Sequence, residues 1–214
     1  MKEREWLSSD NPARMLSALE NKLSARKLRL FACGCARLVW SLVDPGDVQN
    51  AVVVAERFVD GEATQRQLAA AYKKASKIIG RANSVALLTA ESASAPFTPY
   101  LAIESMVCAL DSVVLDAPDL DAAFTCENAR QLQLVRCIFG NPFRPVKCNR
   151  KWRTDTVVAL AQGIYDDRAF DRMPILADAL QDAGCDSDDI LDHCRDTGPH
   201  ARGCWVVDLV LGKS

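Results

Sequence analysis

Cysteine and histidine side chains gather near the C-terminal end of this 214-residue sequence. The set comprises Cys185, His193, Cys194, His200 and Cys204, and it contains the only two histidines of the chain. Thiolate sulfur and imidazole nitrogen are ligands that zinc prefers, about four of them in a tetrahedral arrangement. Cys194, His200 and Cys204 lie on or beside one short loop. Together with Cys185 or His193, they predict a small zinc-stabilised domain.

The same thiols would also suit a hydrophobic core. The region contains no Cys-x-x-Cys pair. Cys185 follows the glycine that ends a predicted helix, and Cys204 begins an apolar helix, so both are at positions typical of buried thiols. Packing between helices is therefore the leading interpretation of these cysteines, and zinc binding is the alternative.

A cysteine-dependent enzyme is the third interpretation. Such an enzyme needs a thiolate beside a base and an orienting acid. His200 with Cys204 or Cys194, and one of several Asp residues, could supply these groups. No nucleophile-elbow glycine pattern surrounds the cysteines, so we expect a protein without enzymatic activity.

The composition is typical of an ordered globular protein. Hydrophobic residues make up 49% of the chain and charged residues 25%, which is outside the range of disordered chains. The formal net charge of −2 argues against a protein built mainly to bind nucleic acid. The basic run Arg144 to Arg153 is expected to pair with the twelve Asp residues of 154–214. We therefore expect no nucleic-acid partner.

The start of the sequence, MKEREWLSSD, is charged and is not an export signal. Nine cysteines lie mostly within apolar helical patterns, which favours a cytoplasmic protein with reduced thiols. No apolar run approaches the roughly 20 residues that a membrane-spanning helix needs. We expect a soluble protein that does not associate with membranes.

Apolar residues recur at intervals of three and four along most of the chain, which predicts an all-α fold without a substantial sheet. We expect one compact multi-helix domain over residues 1–214, with two lobes, 1–140 and 141–214, as the finer division. Predicted helix N-caps are Ser9 or Asp10, Ser24, and Thr64 with Gln67 in a capping box. The capping box opens an Ala-rich segment, predicted as one helix over about residues 65–92.

Helices are also predicted at about 99–114, 126–139, 155–166, 174–183, 190–195 and 205–211. Gly140 should end the helix predicted at 126–139. The loop 141–153 contains two prolines and apolar side chains, so it should be ordered, with Trp152 as its anchor. The loop 196–202 should connect the last two helices.

Several word-like segments resemble a paralogous family of uncharacterised proteins from planctomycete-type bacteria. They are EWLSSDNPARMLSAL, RKLRLFACGCARLVW, FGNPFRPV, YDDRAFDRMPILADALQDAGC, DILDHCR and GPHARGCWVVDLVLGK. The resemblance is close over about residues 1–62 and 137–213, and it implies a bacterial, cytoplasmic protein. It implies no catalytic residues.

Amphipathic helices and ordered loops are abundant in this sequence, whereas a convergent set of catalytic residues is not. The leading functional prediction is therefore a non-enzymatic protein-interaction or regulatory module with a protein partner of unknown identity. The zinc-stabilised domain is the alternative, and the cysteine-dependent enzyme comes third.

Overall fold

The computed structural model describes residues 1–19, 24–78, 83–84, 99–115 and 117–213. Within these ranges the chain is helical and contains no β-strand, so the predicted all-α fold is confirmed. The α-helices are α1 (Glu3–Leu7), α2 (Pro12–Ala18), α3 (Ala25–Leu38), α4 (Asp47–Val59), α5 (Gln65–Ala75), α6 (Pro99–Val114), α7 (Leu120–Phe139), α8 (Asp155–Asp167), α9 (Met173–Asp182), α10 (Asp188–Arg195) and α11 (Trp205–Leu211). Short 3-10 helices lie at Arg150–Trp152 and Phe170–Arg172.

The chain divides into two compact units, Met1–Val135 and Arg136–Ser214. The division falls within α7. We refer to these as the N-terminal unit and the C-terminal unit, and each has its own buried residues.

The N-terminal unit is built around α3, which packs against α4 and α6. Two further close contacts join α3 to its neighbours, one to α4 and one to α7. The guanidinium of Arg37 donates two hydrogen bonds to the carboxylate of Glu56 on α4, at 3.1 and 2.9 Å. Gly34 faces Leu134 so closely that an added Cβ would lie 2.9 Å from a methyl carbon of that leucine. A larger residue than glycine would therefore require the Leu134 side chain to move.

Two of the predicted helix caps are confirmed, and one is wrong. The Ser24 side chain accepts from the backbone N–H of Lys27 at 3.2 Å, and Thr64 with Gln67 forms the predicted capping box. At α2 the cap is neither Ser9 nor Asp10 but Asn11, whose Oδ1 accepts from the Arg14 N–H at 2.9 Å. Asn11 immediately precedes the first-turn proline, which is the position from which a side chain reaches the first free N–H groups.

The Ala-rich helix is shorter than predicted, because α5 ends at Ala75 rather than near residue 92. The Ser76 hydroxyl donates to the carbonyl of Lys73 at 3.2 Å. The backbone N–H groups of Lys77 and Ile78 bond three residues back rather than four. This tightening is typical of a helix end. Residues 79–82 and 85–92 of the predicted helix lie outside the described residues.

In the C-terminal unit, α8 packs against α9 and α11, and α10 packs against α9 and α11. The Thr154 side chain caps α8 by accepting from Val157 N–H at 3.3 Å. The predicted anchor of the preceding loop is confirmed, since the indole N–H of Trp152 donates to the carbonyl of Gly184 at 3.0 Å. Ser187 precedes α10, which begins two residues before the predicted start at 190.

Three residues of the basic run, Lys147, Arg150 and Lys151, do not show the expected pairing with Asp side chains among the described residues. Arg195 on α10 forms an ion pair with Asp178 at 3.0 Å. Lys147, Arg150 and Lys151 are exposed, and no described carboxylate lies within ion-pair distance of them. The positive charges of these three residues are therefore exposed to solvent. No helix in the described part of the chain is both long enough and apolar enough to cross a membrane.

Candidate metal centre

Two thiols and two imidazoles converge in the C-terminal unit. They belong to Cys137, His193, His200 and Cys204, and one potential ligand atom from each lies within 4.8 Å of the other three. They come from two helices and from the loop that leads into a third, so the fold of the whole unit brings them together.

The end of α7 supplies Cys137. Gly140 ends this helix with a left-handed backbone (φ 63°), and its N–H donates to the carbonyl of Arg136 at 2.9 Å. The indole of Trp205 packs on the same glycine, at 3.2 Å from where a Cβ would lie. Because Trp205 is the neighbour of Cys204, this close approach brings the end of α7 to the start of α11.

The helix α10 supplies His193. Its buried face consists of Ile190, Leu191 and Cys194, and His193 lies at the edge of that face and is half-buried. The imidazole packs edge-on against the ring of His200, with centroids 4.9 Å apart, and contacts the ring of Trp205 at 5.3 Å. These rings restrict the orientation of His193.

The loop between α10 and α11 supplies His200 and leads to Cys204. Asp196 shapes its start, because its carboxylate accepts from Gly198 N–H at 3.2 Å and its carbonyl oxygen lies 3.3 Å from His200 Nε2. A turn closes the end of the loop, where Cys204 N–H donates to the carbonyl of Ala201 at 2.9 Å. The ligand-bearing loop is thus held by hydrogen bonds at both ends.

The distances between ligand atoms suit one tetrahedral ion. His193 Nε2 lies 3.3 Å from Cys204 Sγ, and Cys137 Sγ lies 3.5 Å from His200 Nδ1. Zinc–nitrogen and zinc–sulfur bonds of ordinary length place neighbouring ligand atoms of a tetrahedron about 3.3–3.8 Å apart. The closer pairs already fall in this range, and the widest pair needs to contract by no more than about 1.5 Å.

The second imidazole nitrogen of His200 also has a suitable partner. If Nδ1 is the ligand atom, the hydrogen resides on Nε2, which can donate to the carbonyl of Asp196 at 3.3 Å. Metal-bound histidines commonly donate their other N–H to such an oxygen, which fixes the ring and its tautomer.

Hydrogen bonds and the charge of a neighbouring imidazole favour a thiolate at Cys204. Burial raises the pKa of this thiol, but the hydrogen bond with Cys137 and the charge and hydrogen bonds of His193 and His200 together hold the pKa well below its usual value. Burial lowers the pKa of His200, yet the Cys204 hydrogen bond and charge, with Asp196, raise it overall. The lowered pKa of Cys204 favours the thiolate, which is the form that binds metals, whereas His200 must lose its proton to act as a ligand.

Three of the five predicted ligands, His193, His200 and Cys204, belong to this group, and Cys185 and Cys194 do not. Those two thiols lie in the hydrophobic core of the C-terminal unit. Burial, followed by the neighbouring thiols of Cys204 and Cys185, raises the pKa of Cys194 far above its usual value. Burial also raises the pKa of Cys185. Both are neutral thiols that fill space between helices.

The fourth member, Cys137, was not predicted. It lies 63 positions before its partner His200, in a helix whose neighbouring Leu134 and Ile138 are also buried. The sequence marked only the end of its helix at Gly140, and the close approach of Trp205 to that glycine is a feature of the structure.

A groove of about 200 Å³ lies in the N-terminal unit. Its lining consists of Asn50, Val54, Arg57, Ala63, Gln67, Ala70, Ala71 and Lys74. The lining has no cysteine, histidine or carboxylate, so it offers neither the ligands of a metal site nor the usual thiol or imidazole of a nucleophilic enzyme.

None of the nine cysteines forms a disulfide bond. No family model, curated protein or solved structure matches the chain. The interpretation of the metal centre therefore depends on its geometry.

Proposed function

We propose that the C-terminal unit is a zinc-binding helical module in which Cys137, His193, His200 and Cys204 hold one ion. The observation that carries this proposal is the convergence of two thiol and two imidazole ligand atoms within 4.8 Å of one another. Such a set of two sulfur and two nitrogen donors matches the Cys2His2 class of structural zinc sites.

The donor chemistry supports zinc over other abundant divalent ions. Calcium and magnesium require oxygen ligands, in numbers from six to eight, whereas the four converging side chains offer sulfur and nitrogen. Thiolate ligands also favour cuprous copper and iron–sulfur clusters, but tetrahedral sites that mix two thiolates with two imidazoles are typical of zinc.

The role proposed for the ion is structural. Cys137 is 2% exposed and Cys204 is 0% exposed, so the sulfur side of the site faces the protein interior. Four protein ligands complete the tetrahedron and leave no position for the water that a catalytic zinc ion keeps. The ion would join the end of α7, the helix α10 and the start of α11.

A cysteine nucleophile is the competing assignment. The distance of 3.3 Å between His193 Nε2 and Cys204 Sγ also suits a thiolate and its base. The burial of Cys204 argues against this assignment, because a substrate could not reach a fully covered sulfur. Cys137 and His200 would have no role in a catalytic pair of Cys204 and His193. A tetrahedral metal ion, in contrast, would use all four side chains.

The wider function that we propose is a non-enzymatic interaction or regulatory module with a protein partner. It is supported by the closed character of the metal centre, which would serve stability rather than substrate binding. The zinc ion would keep the C-terminal unit rigid enough to present its surface.

Metal analysis tests the proposal directly. Protein purified without chelators, or refolded with zinc, should contain about one equivalent of zinc, and cobalt substitution should give the intense visible bands of a tetrahedral thiolate site. Cys204→Ser should lose the metal and the bands. Cys185→Ser is the matched control, because it removes a buried thiol of the same unit outside the group and should keep both. A zinc content below about half an equivalent, with stability unaffected by a chelator, would refute the proposal.

A further inference from the structure

Arg202 lies between the last two proposed ligands, His200 and Cys204, on the ligand-bearing loop. Its side chain is directed away from the metal centre, towards the end of α8. Nε donates to the carbonyl of Tyr165 at 3.1 Å, and Nη2 donates to the carbonyl of Asp166 at 3.2 Å. The guanidinium also lies over the ring of Tyr165, 5.0 Å from its centroid.

The anchor point is rigid. Tyr165 is 1% exposed and belongs to the hydrophobic core of the C-terminal unit. The carbonyls of Tyr165 and Asp166 are in the last turn of α8, where a helix leaves its carbonyl groups without internal partners. Arg202 satisfies two of them, so the loop and the helix end stabilise each other.

We propose that Arg202 is a positioning residue of the metal centre, which holds the ligand-bearing loop on the end of α8 so that His200 and Cys204 meet Cys137 and His193. This inference rests on the proposed zinc binding. Arginine is suited to hold the loop because its planar guanidinium can donate to two acceptors at once. The same planar group can also stack on an aromatic ring. Lysine offers a single ammonium on a flexible stem, so it can replace the charge but not the geometry.

The first test measures zinc affinity by competition with a chromophoric chelator. Arg202→Gln should raise the zinc dissociation constant about tenfold or more, because residues that orient metal ligands typically contribute 10–100-fold to affinity. Arg202→Lys should recover only part of the loss. Arg172→Gln is the control, since it removes an exposed arginine of the same unit whose side chain makes none of the hydrogen bonds of the loop, and it should bind zinc as the wild type does.

The second test uses metal-free protein, so it does not depend on zinc binding. Alkylation rates of individual cysteines, measured by mass spectrometry, should rise for Cys204 in Arg202→Gln while those of Cys185 and Cys194 stay unchanged. A general loss of stability would instead expose all three thiols together.

The outcomes separate the two proposals. A wild type that binds no zinc, combined with selective exposure of Cys204 in Arg202→Gln, would refute the zinc site and retain the positioning of the loop. A wild type that binds zinc, with an unchanged dissociation constant and unchanged alkylation in Arg202→Gln, would overturn the role of Arg202. Uniform exposure of Cys185, Cys194 and Cys204 would also overturn it.

Discussion

Replacing Gly140 by alanine should destabilise the C-terminal unit and weaken its metal centre. Gly140 has φ 63°, and an L-residue in this left-handed region costs about 1–2 kcal/mol relative to its ordinary conformation. The new Cβ would also lie 3.2 Å from Cγ of Trp205 and 3.4 Å from two further ring atoms. A fused ring cannot bend away as a flexible chain end can, so overpacking adds about 1–3 kcal/mol.

The two effects together predict a loss of about 2–5 kcal/mol in the free energy of unfolding of the C-terminal unit. Since Trp205 adjoins Cys204, a shift of the ring should also move Cys204 relative to Cys137 and lower the affinity for zinc. Urea denaturation, followed by hydrogen exchange resolved to residues 136–214, would measure the first effect. Chelator competition would measure the second.

Gly163→Ala is the matched control for the Gly140 experiment. Gly163 lies within α8, and an added Cβ there would have no neighbouring atom within 4 Å. Alanine is favoured over glycine in a helix by about 0.5–1 kcal/mol, so this variant should be slightly stabilised. If Gly140→Ala were within about 0.5 kcal/mol of the wild type, the reasoning from backbone conformation and ring contact would be refuted.

Three further predictions follow from other contacts. Removing the ion with a chelator should lower the thermal unfolding midpoint of the C-terminal unit by about 10 °C or more, as expected for a loss of a few kcal/mol in a domain of this size. The same chelator should not change the unfolding midpoint of Cys204→Ser. Thr64→Ala breaks the capping box of α5 and should cost about 1 kcal/mol in urea denaturation; a cost near zero would show that the cap is not needed. Burial raises the pKa of Glu127, against the opposing influence of Arg130 and Gln131. The contribution of this group to the free energy of unfolding is therefore fully present below its unfolded-state pKa of about 4.3. The contribution is lost as the pH rises through the raised pKa of the folded state. Glu127→Gln should therefore remove part of the decline in the stability of the N-terminal unit that occurs as the pH rises above about 4.3. Identical dependence of the free energy of unfolding on pH in the variant and the wild type would contradict this.

The helices were predictable because their signals are local. Apolar periodicity and the side-chain caps at Ser24 and Thr64 act within one or two turns, and the structure confirms both caps. The end of α5 was not predictable in the same way, because no glycine or proline follows Ala75 until Gly80, five positions later. Propensity is a weak guide where packing decides how far a helix continues.

The candidate site was predictable only in part, for a related reason. His193, His200 and Cys204 lie on consecutive elements, so their proximity follows from one short loop. Cys185 and Cys194 lie in the same region of the sequence. A reduced cysteine can either pack in a hydrophobic core or bind a metal, and the sequence pattern does not distinguish the two roles. Whether a thiol lies in the metal centre or elsewhere in the core depends on the direction in which its side chain points. That direction is determined by packing across the whole unit.

The position of Cys137 has an energetic consequence for the proposed zinc ion. A ligand pair that is 63 positions apart in sequence closes a loop whose entropic cost in the unfolded chain is about 4 kcal/mol, from the logarithmic dependence on loop length. An ion bound only by His193, His200 and Cys204 would close only short loops and would stabilise only the region around residues 193–204. Addition of Cys137 makes the ion a link between the first helix and the last of the C-terminal unit, so metal binding and folding of residues 136–214 should be coupled. The residue that the sequence pattern did not reveal is thus the one that would extend the influence of the ion from a local loop to the whole unit.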